Sequence, residues 1–94
     1  MKVKVKYFTT LREITGKKEE TTELKNDTNV SELMRLLSVS YGEAFVRYLY
    51  DEKMGVHNYL QILVNGISIT SMQELKTQLK DGDILAIIPP VGGG

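Results

Sequence analysis

The chain contains no cysteine and no tryptophan, and His57 is its only histidine. The absence of cysteine excludes disulfides, thiolate metal ligands and a cysteine nucleophile. A single histidine provides neither the paired imidazoles of a typical metal site nor a supported catalytic triad. We therefore expect no metal centre in this protein, and we assign His57 to a surface loop without a chemical role.

Neither sign of charge predominates, because twelve basic and twelve acidic residues give a formal net charge of zero. A neutral chain gives no electrostatic reason to expect nucleic acid or an anionic membrane as a partner. The apolar runs are far shorter than the roughly 20 residues that a membrane span needs, and no signal peptide precedes the first predicted strand. A length of 94 residues fits one domain. We expect a single cytoplasmic domain.

The motifs of independent enzymes are also missing. Gly16-Lys17-Lys18 lacks the spacing of a phosphate-binding loop, and the sequence contains no dinucleotide fingerprint. No serine occupies the strand-turn-helix setting of a nucleophile elbow. The chain is therefore predicted to have no catalytic groups of its own and to bind no cofactor, which suggests that other proteins act on it.

The last eleven residues are the most informative part of the sequence. Ile84 to Ile88 is an unbroken apolar run, which is typical of a central strand covered on both faces. Pro89 and Pro90 remove two backbone donors in succession, so the sheet cannot continue past them, and they hold the chain extended. The sequence therefore predicts a domain over residues 1–88 and an extended C-terminal tail over residues 89–94.

Gly92, Gly93 and Gly94 follow Val91 and have no side chains. Six extended residues reach roughly 20 Å, which is enough to enter the active site of another protein. Without Cβ atoms the tip fits a narrow channel, and its α-carboxylate is ionised at neutral pH. One interpretation is that the carboxylate of Gly94 is the reacting group. The other is a frayed glycine tail without a role, although such a tail would not need a stiff Pro-Pro neck.

The first third of the chain begins with alternating apolar and basic residues and continues into a predicted helical turn and a second strand. In Lys2 to Phe8, valines and Tyr7 alternate with lysines, which predicts a half-buried strand with Phe8 pointing away from the Tyr7 side. Thr9 to Gly16 is predicted to form a short helical turn closed by Gly16. The polar segment Lys17 to Leu24 is predicted to be a strand near a sheet edge.

The main helix is predicted to start after Asn29, because Asn29 and Glu32 form a capping box. Apolar residues then recur at helical spacing until Gly42. The segment from Ala44 to Tyr50 is compatible with helix or strand, and residues 51–58 are expected to form a loop.

The last third predicts a hairpin followed by a short helix. Leu60 to Val64 and Ile67 to Ile69 flank Asn65-Gly66, a strong hairpin-turn signal. A second capping box at Ser71 and Glu74 predicts a short helix through Leu75 and Leu79. A tight turn over residues 81–83 then leads into the final strand. The order is typical of an α+β β-grasp fold with a mixed sheet of about five strands, one main helix, and parallel first and last strands.

Several stretches resemble the MoaD/ThiS family of ubiquitin-like sulfur carriers, especially the molybdopterin-type small subunits. The resemblance covers nearly the whole chain, and its most specific part is the ending. It rests on the residues Tyr7-Phe8, Leu11-Arg12-Glu13, Gly16, Asn29 to Leu33, Val64-Asn65-Gly66, Asp81-Gly82-Asp83 and Pro89 to Gly94. One departure is Gly92, because family members usually carry a small side chain before the last two glycines.

The resemblance implies that an E1-like adenylating enzyme uses ATP to activate the Gly94 carboxylate. A sulfur donor system would convert it to a thiocarboxylate, and the large subunit of molybdopterin synthase would receive the sulfur. Phe8 and Ile88 match positions of the apolar patch through which the family docks on its partners, although Ile88 also fits a plain core residue. Arg12 is expected either to make a polar contact with the partner or to be solvated. Two alternatives stay open: the activated carboxylate could modify lysines or serve thiamin synthesis or tRNA thiolation, or the chain could be a non-covalent β-grasp interaction module.

Overall fold

The computed structural model describes residues 1–90, which form one mixed sheet packed against helices. The five strands are β1 (Lys2–Lys6), β2 (Glu19–Glu23), β3 (Gln61–Val64), β4 (Ile67–Ser68) and β5 (Ile84–Ile88). The helices are α1 (Thr10–Thr15), α2 (Val30–Tyr41) and α3 (Glu43–Leu49), and two 3₁₀ turns cover Ile69–Ser71 and Glu74–Lys76. No helix of this part of the chain is long and apolar enough to cross a bilayer.

The strands are arranged in the order β2-β1-β5-β3-β4, so the last strand lies in the middle of the sheet. β5 pairs in parallel with β1 and antiparallel with β3, and the two remaining neighbours form antiparallel hairpins. The predicted β-grasp fold, with a central final strand parallel to the first, is confirmed. Asn65 and Gly66 connect β3 and β4 with φ values of 53° and 82°, which is the type I′ geometry that this dipeptide predicts.

The core lies between the helices and one face of the sheet. Alternate strand residues point into it, as the period-2 pattern of β1 predicts. Its fully buried side chains include Val3, Val5, Tyr7, Leu11, Val30, Leu33, Met34, Phe45, Leu49 and Leu85. Since the same alternation leaves the lysines of β1 on the other face, the first strand fixes which side of the sheet receives the helices.

The main helix follows its prediction at both ends. The Asn29 side chain accepts a hydrogen bond from the Glu32 amide at 2.8 Å, and the Glu32 carboxylate accepts one from the Asn29 amide at 3.2 Å. Gly42 ends α2 with a φ of 85°, a value that a residue with a Cβ adopts only with strain. The ambiguous segment that follows is helical, and Phe45 and Leu49 of α3 enter the core.

The predicted capping box at Ser71 is wrong. Glu74 has a φ of 53°, which lies outside the right-handed helical region and prevents a regular helix start. The structure forms two separate 3₁₀ turns instead, and the Thr77 hydroxyl accepts a hydrogen bond from the Gln73 amide at 3.1 Å. Leu79 is buried after the second turn and does not extend a helix.

The expectation that β5 is covered on both faces is also wrong. Leu85 and Ile87 are 0% and 1% exposed, whereas Ile84, Ala86 and Ile88 are only half-buried. The reason is that the core of residues 1–90 lies on one side of the sheet only. The unbroken apolar run of β5 therefore has one face in the core and a second apolar face that is partly open to solvent.

Candidate functional site

The candidate site lies at the edge of the sheet where β5 ends. Because β1 and β5 run parallel, with Lys6 beside Ala86, their carboxyl ends meet at the same edge. Phe8 and Ile88 each lie two positions beyond this last pair, in the direction of the same edge. Pro89 and Pro90 follow directly, and the structure gives both as half-buried. The tail therefore leaves the domain next to an aromatic side chain that follows the first strand.

Phe8 and Arg12 are in direct contact at this edge. The Arg12 guanidinium carbon lies 5.4 Å from the centre of the Phe8 ring, within the range of a cation–π contact. Arg12 Nε also donates a hydrogen bond of 2.9 Å to the Tyr7 carbonyl. Between them, Thr9 has a φ of 42°, an unfavourable conformation for a β-branched residue. The fold thus brings two of the predicted partner-contacting residues together and holds them at the start of α1.

The open face of the sheet carries an apolar patch that the sequence did not identify as functional. We call it the open-face patch, and it comprises Ile84, Ala86 and Ile88 of β5 together with Leu63 of β3. Leu63 pairs with Ala86, and all four side chains are half-buried. Leu63 was missed because the sequence prediction of a strand over Leu60 to Val64 did not assign its residues to one face of the sheet or the other. The available signal was the polar residue Gln61, because Gln61 and Leu63 lie on the same face of a strand.

A polar cluster stabilises the helix side of the same edge. The Tyr7 and Tyr41 hydroxyls both donate hydrogen bonds to the Glu20 carboxylate. Lys17 Nζ lies 3.2 Å from Glu20 Oε1. The Tyr7 ring packs edge-on against Phe45 at a centroid distance of 6.4 Å. These contacts connect β1, β2, α2 and α3 behind the site.

The environment of this cluster shifts three pKa values. Burial, followed by the Glu20 carboxylate, raises the pKa of Tyr7 far above its usual range, so Tyr7 is protonated and a donor. Burial acts to raise the pKa of Glu20, but the hydrogen bonds from Tyr41, Tyr7 and Lys17 outweigh burial and lower it. The contact with Tyr41, followed by that with Glu20, raises the pKa of Lys17. At neutral pH the cluster is a carboxylate that accepts from two tyrosine hydroxyls and one ammonium group.

The remaining predicted residues lie elsewhere or outside the described part. His57 lies in the loop after α3 and stacks on Tyr59 at a centroid distance of 4.7 Å. Residues 1–90 contain no cluster of three or more His, Asp or Glu side chains that could hold a metal ion. The predictions for Val91, Gly92, Gly93 and Gly94 concern positions outside residues 1–90. What residues 1–90 provide is the central strand from which the tail continues and an apolar surface beside it.

A five-stranded β-grasp sheet whose central last strand leads into a Pro-Pro-Val-Gly-Gly-Gly ending defines a protein of the ubiquitin-like class. The chain belongs to the ThiS family, whose model matches residues 5–94. The family prediction made from the sequence is thereby confirmed. This family groups ubiquitin-like sulfur carriers and modifiers.

Three similar proteins illustrate the two groups. The chain is 30% identical over 94 residues to small archaeal modifier protein 3 of Haloferax volcanii, with 100% of both chains covered. It is also 30% identical over 99 residues to the molybdopterin synthase sulfur carrier subunit of Chlamydomonas reinhardtii, again with 100% of both covered. The solution structure of small archaeal modifier protein 1 from Methanosarcina acetivorans superposes with a TM-score of 0.78 and 34% identity, covering 99% of this chain and 96% of that one.

Proposed function

We propose that this protein is a sulfur carrier whose Gly94 α-carboxylate is adenylated and converted to a thiocarboxylate, which donates its sulfur in the synthesis of molybdopterin. The observation that carries the proposal is the continuity of β5 with the Pro89-Pro90 neck at an edge occupied by Phe8 and Ile88. Similarity over 99 residues to a protein named as a molybdopterin synthase sulfur carrier subunit supports the choice of pathway.

The chemistry needs little from this chain. The carboxylate oxygen attacks the α-phosphate of ATP, pyrophosphate leaves, and an acyl-adenylate forms at Gly94. The terminal sulfur of a donor persulfide then attacks the acyl carbon, and AMP leaves with the C–O bonding pair. A thiol of the donor system attacks the inner sulfur of the resulting acyl disulfide, so that the S–S bond breaks, a disulfide forms on the donor system and the thiocarboxylate leaves. The catalytic groups that stabilise these charges belong to an E1-like activating enzyme and a sulfur donor system. This chain binds no resident cofactor in the proposal, and ATP is the co-substrate of the activating enzyme.

The role of the domain is to place the tail. The half-buried Phe8 and the open-face patch form an apolar surface on the side from which the tail leaves. A partner that covers this surface removes apolar area from water and at the same time fixes the starting point of the tail. The activating enzyme and the large subunit of molybdopterin synthase would then use the same surface in turn. Arg12 would orient Phe8 and offer its free guanidinium N–H groups at the rim.

The direct test is mass spectrometry of the purified protein after incubation with its activating enzyme, ATP and a sulfur donor. We expect the mass to rise by the difference between sulfur and oxygen, with the change located in the C-terminal peptide. A variant lacking Gly93 and Gly94 is the matched control and should stay unchanged. If the full chain never gains sulfur, or gains it at another residue, the proposal is wrong.

Protein modification is the second candidate function, and the similarity to two small archaeal modifier proteins favours it. In that case a lysine amine of an acceptor attacks the same adenylated or thioester-linked carbonyl, and an isopeptide bond forms. Immunoblots of a tagged chain in cells would show a series of higher-mass conjugates that resist reducing agents. A sulfur carrier alone would give one band. Deletion of the gene would distinguish the other sulfur pathways. Loss of thiamin would indicate a role in thiamin synthesis, and loss of thiolated tRNA would indicate a role in tRNA thiolation.

A further inference from the structure

The outer edge of β2 presents backbone groups that no other strand of residues 1–90 pairs with. On its inner side, Met1 and Leu24 exchange two hydrogen bonds of 2.8 Å, and the Tyr7 amide donates to the Lys18 carbonyl. In an antiparallel ladder, hydrogen-bonded pairs alternate with pairs whose backbone groups point away from each other. The even-numbered residues of β2 therefore face β1, and the odd-numbered residues direct their N–H and C=O groups outward.

These outward-facing residues are Glu19, Thr21 and Glu23, which we call the β2 edge. Their side chains project from the open face of the sheet, because each lies opposite a lysine of β1, in the pairs Glu19 with Lys6, Thr21 with Lys4 and Glu23 with Lys2. On this face, basic side chains of β1 therefore lie next to acidic side chains of β2. A strand added outside β2 would continue the alternation if it carried basic residues at every second position.

A groove lies next to the β2 edge on the helix side. It has a volume of about 400 Å³ and is lined by Leu24, Thr28 and Leu36 together with the charged residues Glu23, Lys25, Glu32 and Arg35. Leu36 is 52% exposed although it is a large apolar residue on α2. An extended segment paired with β2 points every second side chain toward this side of the sheet. Apolar residues at those positions would cover Leu36.

We propose that the β2 edge binds an extended segment of another protein in which basic residues alternate with apolar ones. The added strand would form main-chain hydrogen bonds with Glu19, Thr21 and Glu23, and its basic side chains would lie beside the two carboxylates. Its apolar side chains would lie over Leu36. The first strand of this protein, Lys-Val-Lys-Val-Lys, already shows that such an alternation pairs with β2 from the inner side.

Charge also decides against a second copy of this chain as the occupant. An antiparallel pair of two β2 edges centred on Thr21 would place Glu19 of each copy opposite Glu23 of the other. Like charges directly opposite one another destabilise a pair of strands. The partner is therefore a different chain, and this edge is remote from the β3–β4 hairpin at the opposite end of the sheet.

The test uses the full-length protein and a blocked seven-residue peptide that alternates lysine with valine, with hydrogen exchange followed by NMR. We expect added peptide to slow exchange of the Glu19, Thr21 and Glu23 amides. The amides of Glu20 and Thr22, which already face β1, should change least. A peptide with glutamate in place of lysine is the matched control and should have no effect at the same concentration.

Substitutions test the two parts of the contact separately. The double variant E19Q/E23Q should weaken peptide binding about threefold to tenfold and reduce its dependence on salt. E52Q, which removes an exposed carboxylate in the loop after α3, should bind as the parent does. Thr21→Pro removes one outward-facing donor and no bond to β1, so it should weaken binding while the protein stays folded. If that variant does not fold, a backbone N-methylated peptide tests the same hydrogen bonds.

Three results would overturn the proposal. The first is binding that E19Q/E23Q does not weaken, and the second is slowed exchange at Ile67 and Ser68 or on the open-face patch in place of the β2 edge. The third is a dimer of the parent protein in sedimentation experiments that is lost on Thr21→Pro, since this would identify a second copy as the occupant.

Discussion

The two faces of β5 differ in what they contact, although both are apolar in sequence. Leu85 and Ile87 point toward the helices and are fully buried, whereas Ile84, Ala86 and Ile88 point to the open face and are half-buried. One face contributes to stability, and the other presents apolar surface where the tail begins. One set of alternate residues of a strand can thus stabilise the fold while the other set stays available at the surface. Substitutions on the two faces should therefore separate folding from function.

The largest effect is expected when the tail is shortened without touching either face. Deleting Gly93 and Gly94 should abolish sulfur acceptance and biological activity, since it removes the proposed reacting carboxylate. Thermal unfolding should be unchanged, because the core lies within residues 1–90. Activity and the melting temperature are the two measurements. Gly92→Ala is the control and should keep most of the activity, since it adds a small side chain without shortening the tail. Full activity after the deletion would contradict the proposed function.

On the helix side, Leu85→Ala should lower the free energy of unfolding by about 2–5 kcal/mol, because it leaves a cavity in a fully packed core. Ile84→Ala is the matched substitution on the open face, and it should lower the free energy of unfolding by only about 1 kcal/mol. Urea denaturation of both variants measures the contrast. Equal losses would show that the two faces of β5 are packed to the same degree.

On the open face, the double substitution Phe8→Ala with Ile88→Ala should weaken binding of the activating enzyme about tenfold or more, because apolar anchors dominate interface energies. The unfolding free energy should fall far less than for Leu85→Ala. Isothermal titration calorimetry gives the affinity. Val39→Ala is the control, since Val39 is 80% exposed on α2, away from the open face. An affinity loss for Val39→Ala that equals the loss for the pair would place the interface elsewhere.

The smallest effect concerns the polar cluster behind the site. The lowered pKa of Glu20 means that its ionised form stabilises the fold. This contribution is fully present above the unfolded value of 4.5 and is lost as the pH falls through the lower folded value. Glu20→Gln should therefore lower the free energy of unfolding by about 1 kcal/mol at neutral pH. In acid the variant and the parent should become equally stable. Unfolding curves of both proteins against pH measure it. A stability difference between the two proteins that stays the same from neutral pH into acid would contradict this role of Glu20.

Most of the fold was predictable because its signals are local. Alternation in β1, the Asn29 capping box, the Asn65-Gly66 turn and Gly42 each act through neighbours in the chain, and all four are confirmed. The Ser71 prediction failed because a capping box also requires helical backbone after it, and Glu74 adopts a left-handed conformation there. From the sequence alone, residues 43–49 could not be assigned to a helix or to a strand, since a short apolar segment fits both periodicities.

The site was predictable in part. Phe8, Arg12 and Ile88 came from the resemblance to a family, and their contacts with partners stay a prediction. Leu63 was missed because its role depends on pairing with Ala86, a residue 23 positions later. The cluster around Glu20 was missed for the same reason, since Tyr7, Glu20 and Tyr41 belong to three different elements.

The sequence by itself determined the order of the five strands and the main helix, the alternation in β1 and the place at which the sheet must stop before Pro89. These follow from the local rules of backbone sterics and side-chain periodicity. Only the tertiary structure decided which face of β5 the helices cover, and therefore which of its apolar residues stay partly open to solvent. The reason is that burial depends on what packs against a residue, and for the last strand of the chain every packing partner is distant in sequence.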